Sequence, residues 1–171
     1  MIIMNEIKGF IFKAPERWMH IREIARKLKI SPNSVRKNIA PLKKRGIVEE
    51  RKDGNMILYR ANMNDERCRR EKMLHNLRNI FDSGVIESLY EYYSPSAIVL
   101  FGSYARGEDI SSSDIDIAVV TSSRKRPDMR KFEKRLSRKI ELSLFTREGV
   151  SREFFNNVAN GIVLWRFLKN E

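Results

Sequence analysis

The stretch GSYARGEDISSSDIDIAVV, residues 102–120, constrains the fold of this chain more than any other. The apolar residues 97–101 directly before it form a short run of the kind that makes a buried strand. A strand that runs into a Gly-Ser turn and a short helix directs backbone N–H groups at one spot, where phosphate oxygens can bind. The sequence therefore predicts a phosphate-binding turn at Gly102 and Ser103.

Two aspartates follow this turn in a segment that alternates as a strand should. Because side chains in a strand point to opposite faces in turn, Ile115 and Ile117 share one face, and Asp114 and Asp116 share the other. Adjacent carboxylates repel each other unless they share a cation, and oxygen ligands of this kind suit Mg²⁺ or Mn²⁺. A phosphate-binding turn beside paired carboxylates therefore predicts two-metal phosphoryl transfer.

The spacing of these residues resembles a known signature. Gly102-Ser103, then ten residues, then Asp114-x-Asp116 resembles the nucleotidyltransferase motif of the DNA polymerase β superfamily. The version here, FGSYARG with SDIDIAVV, is similar to the minimal nucleotidyltransferases of bacteria and archaea, over about residues 85–168. The resemblance implies that the Gly-Ser pair holds a nucleoside triphosphate and that the two aspartates hold both metal ions.

The superfamily uses a third carboxylate on the following strand, and KIELSLF places Glu141 at the matching position. The family usually has aspartate there. The longer glutamate side chain either ligates the catalytic metal and accepts the proton of the attacking hydroxyl, or sits badly and leaves a slow or inactive enzyme. The resemblance also leaves two roles open for Arg106, which either supports the phosphates or only holds the turn in place.

The N-terminal part of the chain predicts a different domain. HIREIARKLKI has the spacing of an amphipathic helix, and SPNSVRKNIAPLKKRG predicts a second helix that starts at the N-cap Ser31 and ends at Gly46. Two β-prone runs then flank Asp53-Gly54, which is a strong hairpin signal. A helix-turn-helix followed by a basic hairpin resembles the winged helix-turn-helix family.

The winged-helix resemblance implies DNA binding, with the second helix of the pair in the major groove and the hairpin wing on the backbone or minor groove. The net charge of +12 agrees, because a basic excess favours a polyanionic partner through counterion release. The alternatives are that these cations only solvate the surface or that the domain binds a protein. The candidate DNA contacts lie on the outward face of the second helix and at the wing: Asn33, Ser34, Arg36, Lys37, Arg51, Lys52 and Asn55.

The sequence predicts an α+β chain of three parts. These are a winged helix-turn-helix DNA-binding domain at residues 1–62, a linker helix at 63–83, and at 84–171 a polymerase-β-like nucleotidyltransferase α/β domain with a small mixed sheet. The apolar stripe of the linker helix packs on either domain or on a second protomer, which would make the chain a homodimer. No apolar run approaches the roughly 18 residues of a membrane span. We therefore expect a cytoplasmic protein without a membrane partner.

These observations predict a nucleotidyltransferase that uses Mg²⁺ or Mn²⁺ to transfer a nucleoside monophosphate to a hydroxyl, releasing pyrophosphate. The resemblance implies that the transferred group is AMP from ATP. Minimal family members are often antitoxins, so the resemblance implies an acceptor hydroxyl on a partner toxin of the helical HEPN ribonuclease type. The winged helix-turn-helix domain would then let the toxin and antitoxin regulate their own transcription. The alternative is a DNA-binding transcription regulator whose nucleotidyltransferase fold only senses nucleotide.

Overall fold

The computed structural model describes residues 2–146 and 149–166, which form two compact units. The first unit ends at Lys72 and the second begins at Met73, inside one long helix. Each unit has its own sheet and its own hydrophobic core, which confirms the α+β class. The domain boundaries at residues 62 and 84 stay predictions of the sequence.

The first unit is a winged helix. Its elements are α1 Ile2–Lys13, β1 Met19–His20, α2 Ile21–Leu28, α3 Pro32–Lys44, β2 Val48–Asp53 and β3 Met56–Ala61. The helix α3 begins as the sequence predicts, because the Oγ of Ser31 accepts a hydrogen bond from the backbone N–H of Ser34 at 3.1 Å. Its apolar face, formed by Val35, Ile39 and Leu42, is buried. These contacts fix α3 against the core and leave its opposite face exposed to solvent.

The wing is an antiparallel sheet in the order β1-β3-β2. Asp53 still pairs with Met56, so the two residues of the turn are Gly54 and Asn55. The turn therefore lies one residue later than the Asp53-Gly54 signal suggests. Gly54 has a φ of 57°, which suits the first central residue of a type II′ hairpin turn.

The second unit contains a small mixed sheet in the order β6-β5-β4-β7. The long helix α4 Glu66–Ser83 leads into it, and its further elements are α5 Val85–Tyr93, β4 Ala97–Phe101, α6 Gly102–Arg106, β5 Ile115–Val120, α7 Arg130–Leu136, β6 Ile140–Phe145, α8 Arg152–Ala159 and β7 Ile162–Arg166. The strands β5 and β6 are parallel, and α7 lies in the crossover between them. The other two strand pairs are antiparallel.

Alternation divides the side chains of this sheet between two cores. The larger core contains residues from one face of the sheet together with α5 and α7, among them Ile98, Leu100, Ile115, Ile117, Leu89 and Phe132. The smaller core is formed by Val99, Ala118 and Phe145 with Val158 of α8. Asp116 belongs by alternation to the face of this smaller core. No helix among the described residues has the length and apolarity to cross a membrane.

Candidate functional site

The strands β5 and β6 bring two of the predicted carboxylates together. Asp116 pairs in register with Glu141 across these parallel strands, so their Cα atoms are about 4.8 Å apart and their side chains share a face. On its other side Asp116 pairs with Phe101, the last residue of β4, directly before Gly102. Asp114 lies two residues before Asp116. The structure therefore places the three carboxylates at the end of the sheet where the Gly-Ser turn lies.

Negative charge accumulates at this end of the sheet. Asp116 is half-buried, whereas Asp114 and Glu141 are exposed. Burial raises the pKa of the Asp116 carboxyl, the carboxylates of Asp114 and Glu141 raise it further, and the Arg106 guanidinium lowers it. The three carboxylates are thus close enough to interact, and we expect them to attract a cation.

The Gly102 turn approaches Asp116 closely. Gly102 has a φ of 71°, in the left-handed region that favours glycine. A Cβ atom at this position would lie 2.1 Å from Oδ2 of Asp116 and 2.9 Å from its Cγ. Both the backbone conformation and the contact therefore require glycine here. Ser103, the next residue, is half-buried in the first turn of α6.

Arg106 is exposed at the end of α6, and its Nε donates a hydrogen bond to Oε2 of Glu108 at 2.7 Å. Its guanidinium also lowers the pKa of Asp116, so it lies within electrostatic reach of the carboxylates. The contact with Glu108 supports a role in holding the loop. A contact between Arg106 and a phosphate stays a prediction.

The outer face of α3 carries four of the candidate DNA contacts. Asn33, Arg36 and Lys37 are exposed, and Nη1 of Arg36 donates to Oδ1 of Asn33 at 3.1 Å. Ser34 is half-buried, and its backbone N–H is used by the helix cap. The structure thus brings an arginine and an asparagine together on a helix face that is open to solvent.

The wing carries the other three candidate DNA contacts, and these side chains differ in how firmly the protein holds them. The Cζ of Arg51 lies 4.7 Å from the ring centroid of Trp18, and Nη2 of Arg51 lies 3.4 Å from Oδ2 of Asp53. Lys52 and Asn55 are exposed, and their side chains make no ion pair or hydrogen bond with the described residues. Arg51 is therefore held in place by the protein, whereas Lys52 and Asn55 extend from the wing.

Comparison with known families assigns both parts of the chain. Residues 84–167 match the family model described as Polymerase beta, Nucleotidyltransferase. Residues 16–97 match the model described as Penicillinase repressor, a winged-helix DNA-binding family. The chain thus joins a segment that matches a winged-helix repressor model to a segment that matches a polymerase β nucleotidyltransferase model. Both resemblances inferred from the sequence are thereby confirmed, and a search of curated proteins finds no match.

The donor set of the nucleotidyltransferase domain fits a divalent cation in its chemistry. Carboxylate oxygens are the ligands that Mg²⁺ prefers, and Mg²⁺ commonly uses one or two carboxylates and fills its other positions with water and substrate phosphates. The raised pKa of Asp116 marks negative charge that a cation would offset. Among residues 2–146 and 149–166, no three His, Cys, Asp or Glu side chains are already gathered around one point. The fit therefore rests on the donors and their charge.

Sequence reasoning missed two residues that border these sites. Trp18 packs against Arg51 although it is far away in the sequence, and no local pattern indicates that contact. Lys139 is exposed, and its carbonyl oxygen accepts a hydrogen bond from the N–H of Ile115 at 2.9 Å, next to Asp114. Lys139 stands two residues before Glu141, so the period of a strand could have placed it on the carboxylate face.

We expect Gly102→Ala to disable the nucleotidyltransferase domain. The left-handed backbone costs an alanine about 1–2 kcal/mol, and the new Cβ forces the Asp116 carboxylate out of its position. The affinity for Mn²⁺, measured by calorimetry, should fall about 10–100-fold.

Gly84→Ala is the matched control for this substitution. Gly84 has a φ of 76°, and a Cβ there would meet nothing within 4 Å. It carries the same backbone strain without the contact to Asp116. Equal Mn²⁺ affinities in the Gly102→Ala and Gly84→Ala variants would show that the close approach of Gly102 to Asp116 has no functional role.

Proposed function

We propose that the chain is a metal-dependent nucleotidyltransferase with a DNA-binding head, which transfers AMP from ATP to a hydroxyl group. One observation carries the proposal: Asp116 stands in register with Glu141 and against the Gly102 turn, in a domain of the polymerase β family. This arrangement joins metal-binding carboxylates to a phosphate-binding turn. A site that transfers a nucleotide from a nucleoside triphosphate needs carboxylates to hold the metal ions and a turn to hold the phosphates.

Each residue of the site has a role in this proposal. Asp114 and Asp116 would hold Mg²⁺ or Mn²⁺, with Glu141 as the third ligand. Gly102 lets a phosphate approach the backbone closely, and the hydroxyl of Ser103 donates a hydrogen bond to a phosphate oxygen. When bound, the cation offsets the charge that develops on the reacting phosphate.

The chemical step needs a base for the acceptor hydroxyl, and Glu141 is the exposed carboxylate next to Asp116. We propose that Glu141 accepts the proton of this hydroxyl. The acceptor oxygen then forms a bond to the α-phosphorus of ATP. The bond from that phosphorus to the β-phosphate oxygen breaks, and pyrophosphate leaves.

The acceptor that we propose is a hydroxyl on a partner toxin of the helical HEPN ribonuclease type. The support is the resemblance of FGSYARG and SDIDIAVV to antitoxin-like minimal nucleotidyltransferases, together with the repressor-type winged helix. A repressor domain on an antitoxin would allow the pair to control its own transcription.

The second candidate function is a transcription regulator that binds nucleotide without transferring it. Two observations favour it: the glutamate at position 141, where the family usually has aspartate, and the lack of a gathered group of three ligands among the described residues. Pyrophosphate release from ATP and Mg²⁺ in a cell extract that supplies acceptors separates the two functions. Release that depends on the added chain supports the enzyme, and nucleotide binding without release supports the regulator.

The winged helix should show two kinds of DNA contact. Arg36 lies on the open face of α3, where it can read a base edge, so Arg36→Ala should cost about 1–3 kcal/mol and relax the sequence preference at one position. Arg51→Ala with Lys52→Ala should weaken binding to all sequences alike and lower the salt slope by about one unit per lost phosphate contact. Fluorescence anisotropy on promoter and random duplexes across a salt series measures both effects.

Arg78→Ala serves as the control for charge alone, because Arg78 is exposed on α4 outside the winged-helix unit. It should change neither the sequence preference nor the salt slope. If the unmodified chain binds neither duplex even at low salt, the winged helix is a protein-docking module and the assignment of all seven DNA contacts is wrong.

A further inference from the structure

A group of polar side chains lies buried beside the segment that leads from α6 to Asp114. This buried polar cluster consists of Asn76 from α4, Asp109 from the segment itself and Arg138 from the chain before β6. Asn76 is 3% exposed and Asp109 is 0% exposed, and the Arg138 side chain is 7% exposed. Buried charges are costly unless they are paired and hydrogen-bonded, so the contacts of these residues decide what the cluster does.

Asn76 links Asp109 to the helix α6. The Nδ2 of Asn76 donates to Oδ1 of Asp109 at 2.7 Å and to the carbonyl oxygen of Tyr104 at 2.9 Å. Tyr104 lies in α6, two residues after Gly102. The cluster therefore holds the short helix that carries the proposed phosphate-binding turn.

Arg138 links Asp109 to both strands that carry carboxylates. Its Nη2 lies 3.2 Å from Oδ2 of Asp109, and its Nη1 donates to the carbonyl oxygen of Ser113 at 3.2 Å. Ser113 directly precedes Asp114. Arg138 itself stands three residues before Glu141, at the entry to β6. One guanidinium thus joins the entries of β5 and β6.

The cluster reaches α6, the residue before Asp114 and the entry to β6. These segments carry the Gly102 turn, the two aspartates and Glu141. We infer that the buried polar cluster of Asn76, Asp109 and Arg138 is a positioning element, which fixes the phosphate-binding turn and the carboxylates relative to one another. It binds the backbone of the segments that carry them, so its members are positioning residues. The inference rests on the proposed function for its effect on activity.

A purely structural role makes a different prediction, because binding would then fall only as far as folding stability falls. Two mild substitutions separate the roles. Asp109→Asn removes the charge and keeps the shape, and Arg138→Lys keeps the charge but loses the fork that reaches Asp109 and Ser113 together. Val158→Ala is the control, because it destabilises the smaller core under α8, which contains none of the three cluster residues.

Two properties of the full chain are measured. The first is the hydrogen exchange of residues 107–116, and the second is the binding of Mn²⁺ and of a fluorescent ATP analogue. We expect both cluster variants to exchange about tenfold faster in this segment and to bind Mn²⁺ about 10–100-fold more weakly. Val158→Ala, at an equal or larger loss of melting temperature, should change each quantity less than about twofold.

Unchanged exchange in the cluster variants overturns the inference, and so does an equal loss of Mn²⁺ binding in Val158→Ala. If the unmodified chain binds no Mn²⁺, the proposed function fails. The exchange of residues 107–116 then still decides whether the cluster fixes this segment.

Discussion

Replacing Asp114 and Asp116 with asparagine should abolish nucleotidyl transfer while the chain stays folded. Asparagine keeps the shape of each side chain but removes the charge that would hold a divalent cation. Transfer should fall by about 10³-fold or more, and Mn²⁺ binding should be lost. The fold should survive because Asp114 is exposed, Asp116 is only half-buried, and the large apolar residues of the sheet supply the cores.

The substitution of Asp116 alone should also raise the stability of the metal-free protein. Its pKa is raised in the folded chain by burial and by the carboxylates of Asp114 and Glu141, so the ionised form opposes folding. This cost is present at neutral pH and disappears as the pH falls and Asp116 becomes protonated. We expect Asp116→Asn to melt slightly higher than the unmodified chain at pH 7, and this gain should vanish at acidic pH, where Asp116 is protonated in both the folded and the unfolded chain.

Asp82→Asn is the control for the measurements of Mn²⁺ binding and of transfer, because Asp82 is an exposed aspartate in the last turn of α4. It should change neither Mn²⁺ binding nor transfer. Full activity in the double variant at Asp114 and Asp116 would rule out these two residues as metal ligands.

The second large effect concerns Glu141, where the chain departs from its family. If Glu141 ligates the cation and accepts the proton of the acceptor hydroxyl, Glu141→Gln should lower the rate of transfer by about 10²–10⁴-fold. Glu141→Asp should retain or raise the rate, because it restores the usual residue of the family. Initial rates of pyrophosphate release at saturating ATP measure both variants.

Glu87→Gln is the matched control, because Glu87 is exposed on α5, which packs in the larger core. It should leave the rate unchanged. If Glu141→Gln matches the unmodified chain instead, Glu141 is structural and the base lies elsewhere.

Local rules were enough to predict the carboxylate end of the sheet. The period of a strand fixes Asp114 and Asp116 on one face whatever lies around them, and the apolar residues 97–101 leave little choice but a buried strand. The structure adds the register of Asp116 with Glu141, which local rules do not determine and which only the family resemblance suggested. Register depends on how β5 and β6 align, and the long crossover between them does not determine it.

Contacts between distant segments were beyond local reasoning. Asn76, Asp109 and Arg138 each look like ordinary surface residues in sequence, and they become a buried cluster only because three segments meet. The contact between Arg51 and Trp18 is likewise visible only in the structure. Polar groups that stabilise one another across long separations leave no periodic signal, since each pattern covers only a few neighbouring residues.

Labelled ATP distinguishes nucleotidyl transfer from transfer of the γ-phosphate and from binding alone. The chain is incubated with Mg²⁺, a cell extract that supplies acceptors, and ATP labelled either at the α-phosphate or at the γ-phosphate. If the chain transfers AMP, the α-label becomes attached to a macromolecule while the γ-label appears in pyrophosphate. The double asparagine variant at Asp114 and Asp116 should produce neither result. Attachment of the γ-label that depends on the added chain, or ATP binding by the chain without chain-dependent attachment of either label, would contradict nucleotidyl transfer.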